Sequence, residues 1–96
     1  MYAEYTYSFS PSIDIVDVEA TVTLAALATE SLHGEARMQL EGRHTFDAAQ
    51  RTCVIDASGE VGRDFNQLFL GFMRREFGRE SFRVSRIPEV TGSAAA

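Results

Sequence analysis

The segment Ile15 to His33, "IVDVEATVTLAALATESLH", constrains the fold more than any other part of the chain. Ser12 or Asp14 stands before it as an N-cap, and Gly34 follows where a left-handed C′ residue belongs. Asp17 and Glu19 lie in the first turns, where the helix dipole favours acids. These signals predict one long helix over 15–33. A helix that covers one face of a sheet needs a single apolar stripe, and this one has two. Ile15, Val18, Val22, Ala25 and Leu32 fall on one side; Val16, Ala20, Leu24 and Leu27 fall nearly opposite. Glu19, Thr23 and Glu30 form only a narrow polar wedge between them. One stripe can pack on a sheet, and the other needs a second surface. Val16, Ala20, Leu24 and Leu27 are therefore the candidate contact residues for a homo-oligomer or a protein partner.

The rest of the chain supplies the sheet. Ala3, Tyr5, Tyr7 and Phe9 alternate with Glu4, Thr6 and Ser8, the period-two signature of a strand. "EARMQLEGRHTF" over 35–46 alternates in the same way, with Gly42 as a bulge, and "DAAQ" reads as a hairpin connection into "RTCVIDA". A second helix is expected over about 61–77, ended by Gly78. Its core stripe reads Val61, Phe65, Leu68 and Phe72, widened by Phe69, Leu70, Met73 and Phe77. "SFRVSRI" makes a last strand, stopped by Pro88. The order β-α-β-β-α-β is the split βαβ, ferredoxin-like arrangement: an α+β fold with a four-stranded antiparallel sheet and two helices on one face. Residues 1–88 form one domain and 89–96 a frayed tail. Such a fold hosts many activities, so function has to be argued from sites.

Charge and composition exclude some classes. The net charge of −5 opposes nonspecific nucleic-acid binding, which depends on neutralising phosphates. It is unevenly spread: residues 1–50 hold two Arg and eight acids, residues 51–96 seven Arg and six acids. Lys is absent, so every fixed cation is a guanidinium able to pair bidentately with a carboxylate or phosphate. No apolar run approaches the ~18–20 residues of a membrane span. The N-terminus lacks a basic segment followed by an apolar one, and Cys53 has no cysteine partner; a cytoplasmic protein without disulfides is expected.

Four places merit a chemical reading. Glu30, His33 and Glu35 lie within six residues, and Glu30 and His33 share a helix face. The spacing matches no metal motif, however, and a His before a terminal Gly is a helix-end signal, so no metal or cofactor is expected. Ser58, Gly59, Gly62 and Arg63 open the second helix and form a candidate anion site, through free N–H groups and one guanidinium. Glu60 and Asp64 oppose it by supplying negative charge to the same turn. The sheet face away from the helices is expected to carry Glu4, Thr6, Arg37, Gln39, Glu41, Arg43, Asp56, Arg83 and Ser85, charged pairs rather than the stacking aromatics of an RNA-binding sheet. Arg74, Arg75, Arg79, Arg83 and Arg86 cluster late in the chain, interleaved with Glu76 and Glu80 as an ion-paired face. No nucleophile-and-base set emerges. The sequence points to a non-enzymatic interaction domain, with a small-molecule or anion sensor as the alternative; an enzyme centred on Glu30, His33 and His44 comes third.

Overall fold

A computed structural model describes residues 2–88. The elements are β1 (Tyr2–Phe9), α1 (Ile15–His33), α2 (Glu35–Glu41), β2 (His44–Asp47), β3 (Thr52–Asp56), α3 (Glu60–Phe77) and β4 (Phe82–Pro88), with a 3-10 turn, Arg79–Ser81, leading into β4. The fold is α+β. Its four strands form one antiparallel sheet in the order β2-β3-β1-β4, so the aromatic first strand and the strand containing Cys53 are central. The tail expected over 89–96 lies outside the described residues.

Strand alternation builds the core. Tyr5 pairs with Ile55 and Tyr7 with Cys53, which places the alternate residues of both strands on one face. There Tyr7, Phe9, Cys53 and Ile55 are buried against Val18, Val22 and Ala25 of α1 and against α3. The buried stripe of α3 runs Val61, Phe65, Phe69, Met73, at four-residue steps. Leu68 and Phe72, expected within it, are half-buried at its margin. Tyr7 meets Phe69 edge-on, with ring centroids 4.8 Å apart, a favoured aromatic geometry. In α1 the expected core residue Leu32 is exposed. Thr29 is buried instead, and its hydroxyl donates to the Ala25 carbonyl at 2.7 Å.

The termini of α1 follow the sequence signals. Asp14 Oδ1 accepts from the Val16 N–H at 2.9 Å, and Gly34, at φ 92°, donates its N–H to the Glu30 carbonyl. Arg51 braces the approach to this helix from the β2–β3 turn. Its guanidinium donates to the carbonyls of Ser10, at 2.6 Å, and Ile13.

The strand expected over 35–46 is only half present. Residues Glu35–Glu41 are a third helix, and only His44–Asp47 enter the sheet. Two causes act together. The run Glu-Ala-Arg-Met-Gln-Leu-Glu consists entirely of strong helix formers. Moreover β3 ends at Asp56, because the chain turns there into α3. A strand over 35–41 would lie beyond the end of β3 with no neighbour for its backbone groups. Gly42 is accordingly not a bulge: it is buried and caps α2, its N–H donating to the Met38 carbonyl at 2.8 Å. Arg37, Gln39 and Glu41 leave the outer sheet face for this helix.

Candidate functional site

The outer stripe of α1 is open. Val16 is 66% exposed, Leu24 54% and Leu27 55%, and Ala20 between them is exposed as well. On the opposite side of the same helix Val18, Val22 and Ala25 are buried. The apolar surface continues onto α3. Ala20 and Leu24, with Phe72 and Phe77, line a groove of about 410 Å³ that also carries Asp17, Arg75 and Glu76.

At the start of α3 the chain supplies its own carboxylates. Ser58 does not cap the helix: its N–H and Oγ–H both donate to Asp56 Oδ1, at 2.9 and 2.6 Å, and Gly59 takes the N-cap position. Those two bonds hold the Asp56 carboxyl below its usual range. Arg37 bridges Glu41 and Glu60 across α2 and α3, so Glu41, Asp56 and Glu60 all stand beside this turn. Gly62 serves packing. A Cβ there would collide with the Asp56 carbonyl oxygen, because α3 begins directly against the end of β3. Arg63 is exposed, with Nη1 3.5 Å from the Ser58 carbonyl.

The histidines part company. His33 Nε2–H donates to Asp64 Oδ2 at 2.7 Å and ties the end of α1 to α3. His44 Nδ1–H donates to the Gly42 carbonyl at 3.1 Å, and its ring stands edge-on to Phe65. Among the described residues no group of three or more His, Cys, Asp and Glu could hold a metal ion. Burial pushes the Cys53 thiol up to about 12, which leaves it a poor nucleophile at neutral pH.

The arginines separate in space. Arg75 and Glu76 share the α1–α3 groove, whereas Arg74, Arg79 and Arg86 line a second groove of about 440 Å³ between α3 and β4. Residues two apart on a helix do not face each other, so Glu76 does not accompany Arg74 despite their closeness in sequence. Among the described residues no Asp or Glu lines this second groove.

No protein-family model, curated protein or solved structure matches the chain.

The functional reading therefore rests on the chain's own surfaces. Among the described residues no helix is long and apolar enough to cross a membrane. Sequence reasoning found the apolar face of α1 by periodicity. It missed the α3–β4 groove, whose residues come from β1, α3, the 3-10 turn and β4 and meet only in the folded molecule. The single available hint was the density of arginine after residue 73.

Proposed function

We propose that this is a non-enzymatic interaction domain of ferredoxin-like topology, and that it associates with a second copy of itself through the outer face of α1. The strand order β2-β3-β1-β4, with every neighbouring pair antiparallel, supports the topology; α2 is an addition to it. The observation that carries the function is the exposure of Val16, Leu24 and Leu27 in one row on a helix whose other side is already buried. Contiguous apolar surface of this kind marks interaction sites.

The row is self-complementary. Ala20 lies midway between Val16 and Leu24. Two antiparallel α1 helices crossing at Ala20 would bring Val16 of each copy against Leu24 of the other and Leu27 near Ile13. The small Ala20 side chain permits close approach at the crossing. Burying what remains exposed of each large side chain contributes about 1 kcal/mol. Three per copy give roughly 6 kcal/mol in the dimer, set against several kcal/mol of lost translational and rotational freedom. The expected dimer is weak and concentration-dependent. Light scattering on a gel-filtration column at two protein concentrations tests this: the native mass should rise towards two chains, and Leu24→Glu should return it to one. A monomer at both concentrations, or a Leu24→Glu protein of unchanged mass, refutes the interface.

A further inference from the structure

We propose that the groove between α3 and the edge strand β4 binds a small organic anion, an apolar body carrying a carboxylate or phosphate held by Arg74, Arg79 and the side-chain amide of Asn66. Three observations converge on it. First, a chain of net charge −5 places three of its nine arginines in one groove that, among the described residues, no carboxylate lines. The helix dipole accounts for Arg74, which lies in the last turn of α3. It does not account for Arg79, beyond the helix. Among the described residues neither the Arg74 nor the Arg79 guanidinium makes a hydrogen bond or an ion pair.

Second, Asn66 is only 6% exposed yet lines the groove. Its Oδ1 accepts from the Tyr7 hydroxyl at 2.6 Å. Its Nδ2 has no hydrogen-bond partner among the described residues, and it is not sealed from solvent either. The amide is thus held by its oxygen, while its solvent-accessible Nδ2–H₂ can donate to a ligand. Burial raises the Tyr7 phenol well above its ordinary value, so the hydroxyl stays protonated and keeps the amide oriented.

Third, the groove is not uniformly polar. Leu70, Phe82 and Val84 supply apolar contact, and about 440 Å³ falls within the range of small-molecule sites. Guanidiniums fork onto carboxylate and phosphate oxygens, the amide adds a donor, and the apolar residues take the rest of the molecule. This groove shares no residue with the outer row of α1, so the inference stands apart from the dimer.

The test uses the whole chain and three simple probes: benzoate, phenyl phosphate, and neutral benzamide. Nitrogen-15 NMR follows the Asn66 side-chain amide and the Arg74 and Arg79 side chains during titration. The anions should shift these resonances saturably, and benzamide should not. Arg79→Gln, a surface change, should weaken anion binding about tenfold, as expected for the loss of a charge-assisted contact. Whether benzoate or phenyl phosphate binds more tightly separates a carboxylate ligand from a phosphate one. Equal response to benzamide, shifts reproduced by sodium chloride at matched ionic strength, or anion affinity unchanged in Arg79→Gln would each overturn the proposal.

Discussion

Two glycines of α3 offer a matched experiment, because one substitution should have opposite signs at the two sites. Gly71 is exposed, with nothing within 4 Å of where a Cβ would stand. Gly71→Ala gains helix propensity at no steric cost, a stabilisation of about 0.8–1.0 kcal/mol. Gly62 is buried, and a Cβ there would collide with the Asp56 carbonyl oxygen and lie 3.2 Å from Ala57 Cα. Both neighbours are backbone, so no rotamer change relieves the contact. The helix or the end of β3 must move, placing the cost near the upper end of overpacking penalties, about 3 kcal/mol. The same propensity gain of about 1 kcal/mol offsets part of it, leaving a net loss of roughly 2 kcal/mol. For a domain of this size each kcal/mol moves Tm by about 4–8 °C. Gly71→Ala should therefore melt about 3–8 °C higher and Gly62→Ala about 8–16 °C lower. Thermal and urea unfolding followed by circular dichroism read both. If the two variants shift in the same direction, α3 does not begin in contact with β3, and the stated role of Gly62 is wrong. The stakes reach beyond stability, because that contact sets where α3 presents Asn66 and Arg74.

Arg51→Ala should destabilise the fold by about 2 kcal/mol, since it removes the charge-assisted donors to the Ser10 and Ile13 carbonyls. Arg51→Lys should recover only part, because its single shorter-reaching ammonium gives up the Nε–H contact to the Phe9 carbonyl; equal urea midpoints for wild type and Arg51→Ala would refute the brace. Alkaline pH should also weaken the fold. The buried Cys53 thiol is raised from 9.0 to about 12, so between those values the unfolded chain has lost a proton that the folded chain keeps. This stabilisation, present at neutral pH, falls by about 1.4 kcal/mol per pH unit through that window. The Tyr7 phenol, raised in the same sense by burial, adds its own loss above pH 10.0. Urea unfolding at pH 7.5, 9.5 and 10.5 measures the slope, and Cys53→Ala should make it shallower.

What the sequence determined by itself is what local chemistry and period can encode. The bounds of α1 follow from a capping Asp14 and a terminal Gly34, both of which act within a few residues. The inward face of β1 follows from strict alternation, and Tyr7 and Phe9 are buried as that alternation requires. The outer row of α1 was legible because one sheet cannot cover two opposite stripes of the same helix. Where alternation and propensity disagreed, the tertiary structure decided. Ala36, Met38 and Leu40 alternate, but the early end of β3 leaves a strand there without a partner, so helix propensity prevails in α2. The glycines and Ser58 at the start of α3 read as an anion loop in one dimension. In three dimensions Gly62 allows a close approach of helix and strand, and Ser58 is spent on Asp56. The arginine groove was beyond sequence reasoning for the plainest reason. Asn66, Arg74, Arg79 and Arg86 are spread over 21 residues, and only the return of β4 along α3 makes them neighbours.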